Sequence, residues 1–358
     1  MFSIFHFPFS IMNIDWQNVR RVLIVRLRSI GDTVLATPSL IALRRFLPEA
    51  QIDILLEDWV APVLDNFDAV DNVLTVSRKS SKSRLETAWQ IRRNRYDVAI
   101  NLHGGTTATF FVRASGAKHR VGYSEYQYNF LYNHLLSSAS DFWQQENTHS
   151  AEQQLALLGF VGVPVDDKPK SRLLVTKKSE EEMDLVLHIY GIDGEKIALI
   201  HPAAAFDTKQ WATENFAKVI DYLASRGIFS VVVATPNEEK VINEINEKTS
   251  TFFRAFTHLT LPEITALASR AEIFIGNDSG IAHIAVAVET PSVVIFGSSN
   301  INHWRPWANG KSEIVYKKLP CQPCAGYFCK EFDEPKCILS VDVESVLQKI
   351  DKVLENKN

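Results

Sequence analysis

The feature that most constrains this chain is a recurring one. Short, mostly unbroken apolar runs rich in valine and isoleucine are separated by stretches with helical spacing. Val22–Val25, Ile52–Leu56, Val98–Leu102, Ile197–Ile200, Val231–Ala234, Ile273–Ile275 and Val293–Phe296 are such runs. A strand with one wet face alternates apolar and polar residues; a strand covered on both faces does not, and such strands belong to parallel sheets packed between helices. Between the runs, Leu40, Leu43 and Leu47 share one helix face, as do Phe216, Val219, Ile220 and Leu223. Alternation of strand and helix predicts an α/β, doubly wound fold.

The alternation comes in two series, one before about residue 165 and one after about residue 195. The stretch Val163–Lys170, with Pro164, Asp166, Asp167 and Pro169, reads as the start of a linker. A length of 358 residues fits two domains at roughly 150 residues each. The expected division is residues 1–172 (with 1–16 an extension), residues 173–340, and a closing helix over 341–358. That helix is amphipathic, with Val343, Val346, Leu347, Ile350, Val353 and Leu354 on helical spacing and Asp342 as N-cap. Two such halves would place a site in the cleft between them. No repeat of 20–50 residues is visible.

Composition excludes several classes. No apolar run approaches the ~20 residues of a membrane-spanning helix. A net charge of −4 gives no reason to expect a nucleic-acid partner. Four cysteines, none before Cys321, do not make a secreted disulfide scaffold, so the expected location is cytoplasmic. The uncharged first residues, with Phe2, Phe5, Phe7 and Phe9, leave three readings open: an extension ahead of a start at Met12, a weak interfacial anchor, or packing on the domain surface. Charge is also uneven. Between Arg78 and Arg120 ten basic residues face only Glu86 and Asp97. This is either a solvated surface or a basic face for an anionic acceptor or membrane; Arg113 and Arg120 are the candidates placed on the acceptor side.

Two nucleotide signatures are missing. No G-x-G-x-x-G follows a strand, and Arg305–Ser312 ends in Gly-Lys-Ser but lacks the first glycine of a P-loop. Three strand-to-helix turns stand out instead. In the first, Arg26–Pro38, Ser29 and Gly31 lead into Asp32, which is either a helix N-cap or a general base at the carboxyl edge of a sheet. Pro38 should kink or restart that helix. In the second, His201-Pro-Ala-Ala-Ala leads to Lys209 and Trp211; small residues such as Ala204 let backbone N–H groups approach a ligand, and Lys209 can neutralise phosphate charge. In the third, Gly276-Asn-Asp278-Ser279-Gly280 opens an apolar helix carrying His283, whose N-terminus suits an anion. His283 by itself reads as a satisfied core histidine before it reads as a functional group.

Taken together these residues resemble glycosyltransferase family 9, the ADP-heptose:lipopolysaccharide heptosyltransferases. The matching pieces are Ser29-Ile-Gly-Asp-Thr with Pro38, His201-Pro-Ala-Ala with Lys209 and Trp211, and Gly276-Asn-Asp-Ser-Gly-Ile-Ala-His283. Thr290-Pro-Ser-Val-Val-Ile-Phe-Gly-Ser-Ser and Trp304-Arg-Pro-Trp307 complete the series, in family order, over residues 22 to about 340. The resemblance implies a GT-B fold: two Rossmann-like doubly wound domains facing a central cleft, the acceptor side N-terminal. It implies an inverting transfer that needs no metal or cofactor, with heptose moving from ADP-heptose to a lipopolysaccharide core-type acceptor. Asp32 would be the base and Lys209 would stabilise the diphosphate. Asp278, Ser279 and Gly280 would hold sugar and pyrophosphate, and Glu238 would reach the ribose or base. Contact with the inner membrane face is part of the same expectation. Another nucleotide sugar, another surface glycan, an epimerase or a non-catalytic sugar-nucleotide binder remain open. Cys321, Cys324, Cys329 and Cys337, spaced C-x2-C-x4-C-x7-C, read as a packed or redox-labile tail in preference to a zinc site.

Overall fold

The computed structural model describes residues 14–324 and 326–355; the aromatic stretch at residues 1–11 lies outside the described residues. The first half runs β1 (Arg21–Leu27), α1 (Ile30–Val34), α2 (Thr37–Phe46), β2 (Gln51–Glu57), β3 (Asn72–Val76), α3 (Ser81–Arg93), β4 (Val98–Asn101), α4 (Gly105–Ser115), β5 (His119–Tyr123), β6 (His134–Leu136), α5 (Ala139–Trp143) and α6 (Ser150–Phe160). The second half runs α7 (Lys177–Ile189), β7 (Ile197–His201), α8 (Thr213–Ser225), β8 (Phe229–Val233), α9 (Glu239–Lys248), β9 (Arg254–Phe256), α10 (Leu261–Arg270), β10 (Ile273–Asn277), α11 (Gly280–Ala287), β11 (Ser292–Phe296), α12 (Ile301–Trp304), β12 (Ser312–Tyr316), α13 (Lys336–Leu339) and α14 (Val343–Glu355).

These strands form two six-stranded sheets ordered β3-β2-β1-β4-β5-β6 and β12-β11-β10-β7-β8-β9. All pairs are parallel. Both orders are the doubly wound one, in which the chain reverses its direction of travel next to the first strand. The reversals fall between β1 and β4 in the first sheet and between β7 and β10 in the second. Open α/β sheets bind ligands at the carboxyl ends of strands at such a point, so the topology nominates four loops before any side chain is considered.

The seven apolar runs lie within or beside β1, β2, β4, β7, β8, β10 and β11, seven of the eight inner strands of the two sheets. Their side chains are buried nearly without exception. The expected break at Pro38 is a restart: α1 ends at Val34, and α2 takes Pro38 in its first turn, where a missing N–H costs nothing. The closing helix α14 buries Val343, Val346, Ile350 and Val353 and packs on α8, β11 and β12 of the second sheet.

The Trp304-Arg-Pro-Trp307 segment braces one half on the other. His149 Nε2 donates to the Arg305 carbonyl at 2.7 Å, and the His149 ring stacks on Trp307 with centroids 4.6 Å apart. Trp307 Nε1 donates to the Pro169 carbonyl at 2.9 Å.

Candidate active site

In the first sheet the loop after β1 turns directly into α1. Ser29 is the N-cap and Asp32 is the third helical residue, completing a capping box. Asp32 is therefore not the N-cap that a sequence reading offers as its bland alternative. Its Oδ2 accepts from Ser29 Oγ at 3.0 Å, and its Oδ1 pairs with Arg26 Nη2 at 2.5 Å. Arg26 is buried near the end of β1 and reaches a second partner, His103, at 2.8 Å from Nη1 to Nδ1. A guanidinium can only donate, so Nδ1 of His103 carries a lone pair and its proton sits on Nε2. Burial first, and then the Arg26 charge, push His103 down to about 4. His103 lies in the loop after β4, so the triad Asp32–Arg26–His103 joins the two loops at the first switch point.

The second switch point mirrors the first with opposite polarity. Lys209 closes a short turn after β7, and its Nζ lies 2.8 Å from Asp278 Oδ2 at the end of β10. The same oxygen accepts from Ser299 Oγ at 2.5 Å. Ser279 is the N-cap of α11, and its Oγ shares a 3.1 Å hydrogen bond with His201 Nδ1. Burial pushes His201 down to about 4. Backbone N–H groups of the first turn of α11 add the positive end of a helix dipole to this ion-paired corner.

The two corners touch. A Cβ added to Gly31 would lie 2.7 Å from Cδ2 of His283, and one added to Gly280 would lie 2.8 Å from Cβ of Ile30. Real side-chain carbons do not approach so closely, so two glycines let α1 and α11 meet N-terminus to N-terminus. His283 is buried in this seam, and burial lowers its pKa; the charges of Asp278, Asp32 and Lys209 all act on it.

The remaining nominated residues are placed as follows. Ala204 is half-buried in the loop after β7, on the site side. Glu238 is spent in part on its own backbone: Oε2 accepts from the Thr235 N–H at 2.7 Å and from Thr235 Oγ1 at 2.9 Å. Arg113 and Arg120 are not brought to this site. Arg113 ends α4 and Arg120 opens β5 in register with Ala99, so both lie toward the amino edge of the sheet, away from Asp32. Arg120 is tied to the carbonyls of Ala117 and Leu131.

All four cysteines are free thiols and line one cavity of about 90 Å³ together with Thr208. Among the described residues no group of three or more His, Cys, Asp or Glu side chains is placed to hold a metal ion. The tail instead supports the lysine turn. Thr208 Oγ1 donates to the Gly326 carbonyl at 3.2 Å and accepts from Ser298 Oγ at 2.8 Å.

A carboxylate on one Rossmann-like sheet facing an anion corner on another is the layout of a two-domain group-transfer enzyme, here one with the GT-B fold. Comparison with known proteins agrees. The family model described as "Glycosyltransferase family 9 (heptosyltransferase)" matches residues 84–333. A lipopolysaccharide heptosyltransferase 3 of Escherichia coli is 28% identical, over 90% of this chain and 96% of that protein. A lipooligosaccharide heptosyltransferase 2 of Campylobacter jejuni is 26% identical, over 92% and 97%. The crystal structure of a family 9 glycosyl transferase from Veillonella parvula superposes with a TM-score of 0.85 at 21% identity, covering 97% of this chain and 100% of that one. An E. coli heptosyltransferase solved with ADP-2-deoxy-2-fluoro heptose gives 0.67 at 20% identity, covering 93% and 99%. The chain belongs to glycosyltransferase family 9 and is a glycosyltransferase.

Proposed function

We propose that this enzyme transfers heptose from ADP-heptose to a lipopolysaccharide core-type acceptor, by an inverting, metal-independent displacement at the cytoplasmic face of the inner membrane. The observation that carries the reading is the seam at Gly31 and Gly280, which sets Asp32 opposite the Lys209–Asp278–Ser279 corner. The acceptor hydroxyl oxygen attacks the anomeric carbon while the bond from that carbon to the diphosphate oxygen breaks. Asp32 takes the hydroxyl proton, and ADP leaves with the electron pair. Attack from the face opposite the leaving group inverts the anomeric centre. Lys209 and the α11 N-terminus stabilise the charge that develops on the diphosphate, the part a metal ion plays in other transferases. Arg26 fixes the direction of the Asp32 carboxylate, and His103 fixes Arg26. The named relatives and the sugar-nucleotide analogue seen in a relative's structure support heptose and ADP as the donor's two halves.

The test is a donor screen over ADP-, UDP- and GDP-sugars with a heptose-deficient lipopolysaccharide, reading nucleoside diphosphate release and product. ADP release that depends on both ADP-heptose and acceptor is expected. Release without acceptor, or preference for another nucleotide, refutes the assignment. Asp32→Asn keeps the Ser29 contacts and removes the base, so turnover should fall by at least ~10²-fold with donor affinity nearly kept.

A further inference from the structure

One surface is unexplained by the reaction proposed above, and it lies on α3. The helix buries Thr87 and Ile91 against the domain. Its opposite stripe runs Lys82, Leu85, Trp89, Arg93, at helical spacing, and all four are exposed. Leu85 is 67% exposed and Trp89 63%, and one helical turn apart they form a small apolar patch on this stripe. Arg93 lies over the Trp89 ring, 4.4 Å from its centre. Around this stripe, from residue 78 to 95, stand Arg78, Lys79, Lys82, Arg84, Arg92, Arg93 and Arg95 against the single carboxylate Glu86. Phe110 and Arg113 are also exposed on α4, which packs beside α3.

We infer that this face docks on an anionic phospholipid bilayer, with Leu85 and Trp89 entering the headgroup layer and the flanking cations meeting lipid phosphates. The charge is the complement of an anionic leaflet, and tryptophan favours the membrane–water boundary. The apolar part is two side chains wide, far short of the roughly 800 Å² per partner of a stable protein interface. A few apolar residues among cations do suffice for reversible binding at a bilayer surface. The position is also apt. β3 runs parallel to β1, so the α3 N-terminus emerges at the same sheet edge as the Asp32 loop, and a bilayer lying along α3 would sit beside the mouth of the cleft.

The test is flotation of the full chain with vesicles of phosphatidylglycerol mixed with phosphatidylcholine, and with phosphatidylcholine alone. Binding to the anionic vesicles only, weakened by high salt, is expected. Leu85→Ser with Trp89→Ser should lose most of it, and Lys82→Glu with Arg93→Glu should weaken it by at least about tenfold. All four positions are exposed, so the melting temperature should hold. Turnover of a soluble, delipidated acceptor by the Leu85→Ser, Trp89→Ser variant should also be unchanged. A chain lacking residues 2–13 separates the aromatic N-terminal segment from α3. Loss of binding on that deletion, with binding kept in both α3 variants, overturns the proposal, as does failure of the intact chain to float with anionic vesicles. Because vesicle binding is read without the reaction, a wrong donor or acceptor would leave this result standing.

Discussion

Gly280→Ala is the sharpest perturbation the structure offers. Gly280 begins α11 with ordinary helical geometry, so alanine suits its backbone and by propensity would strengthen the helix. The cost lies across the seam, where the new Cβ would stand 2.8 Å from Ile30 Cβ and 3.0 Å from Ile30 Cγ2. Carbon atoms in contact prefer about 3.5–4.0 Å, so α1 and α11 must separate by about 1 Å. Asp32 rides on α1 and the anion corner on α11, so the attacking and leaving ends of the reaction move apart by that amount. Misplacement of about 1 Å costs on the order of 10²-fold in rate, or about 2.7 kcal/mol in the barrier. Steady-state turnover paired with ADP binding by calorimetry would read the two effects separately. Turnover should fall on the order of 10²-fold while ADP affinity stays within a factor of about three, because the added methyl points at Ile30. Ile30→Gly removes both of the nearest carbons, so the double variant should recover most of the rate. Normal turnover in Gly280→Ala would refute the claim that the closed seam is the working geometry. A large loss of ADP affinity without rescue by Ile30→Gly would show that the methyl strikes the donor instead.

Two further outcomes follow from the same contacts. If Asp278 serves to hold Lys209, then Asp278→Asn and Lys209→Met should be strongly non-additive in kcat/KM, the double variant costing little more than the worse single one; additive losses would mean that Asp278 binds sugar on its own account. Burial depresses His103, His134 and His201 to about 4 and His149 to about 3, whereas in the unfolded chain histidine titrates near ~6.5. Between those values the unfolded chain binds protons that the folded chain excludes, so their contribution to stability is whole above pH ~6.5 and is lost as pH falls through about 4. Urea midpoints measured across that window should decline toward acid, and His149→Gln should flatten the slope; an unchanged slope would remove His149 from the account.

How much of this was legible in the sequence depends on where an element lies in its sheet. Most inner strands, all but β5, are covered on both faces along their length and announce themselves as apolar runs. The strands not foreseen, β3, β5, β6, β9 and β12, lie toward the sheet margins. Asn72–Val76 alternates, His134–Leu136 and Arg254–Phe256 are three residues long, and His119–Tyr123 begins with His and Arg, so neither length nor continuity marks them. The site was legible where it is built from turns of unusual composition, which gave Asp32, Lys209, Asp278, Ser279 and Gly280. Arg26, His103, His201 and Ser299 were missed because they act through those residues. A signal existed for two of them: Arg26 is a charge set between the apolar run Val22–Val25 and Leu27, and His103 precedes Gly104-Gly105 just after β4. Arg113 and Arg120 lie away from Asp32, which a count of charge along the chain could not reveal because it ignores which edge of a sheet each residue occupies.

The paired charges explain how such a seam can close before substrate arrives. Asp32 and Lys209 stand on opposite sides of it, and bringing either alone into a water-poor contact would carry a desolvation cost of several kcal/mol. Each comes with a buried or half-buried counter-ion from its own domain, Arg26 for Asp32 and Asp278 for Lys209. Each corner is therefore close to neutral by itself, and His283, a titratable side chain between them, is held toward its neutral form by burial. The domains meet without a net charge to bury, and neither domain relies on the other to satisfy its catalytic group. Under the proposed mechanism, a diphosphate entering the corner would compete with Asp278 for Lys209. It brings more negative charge than the carboxylate and lies at the N-terminus of α11, so the lysine can turn to it without leaving an uncompensated cation in the seam. Asp278 keeps its hydrogen bond from Ser299 through this exchange. On this account the resting ion pairs hold the two reactive groups in place and undistorted until the donor supplies the charge that Lys209 is there to meet.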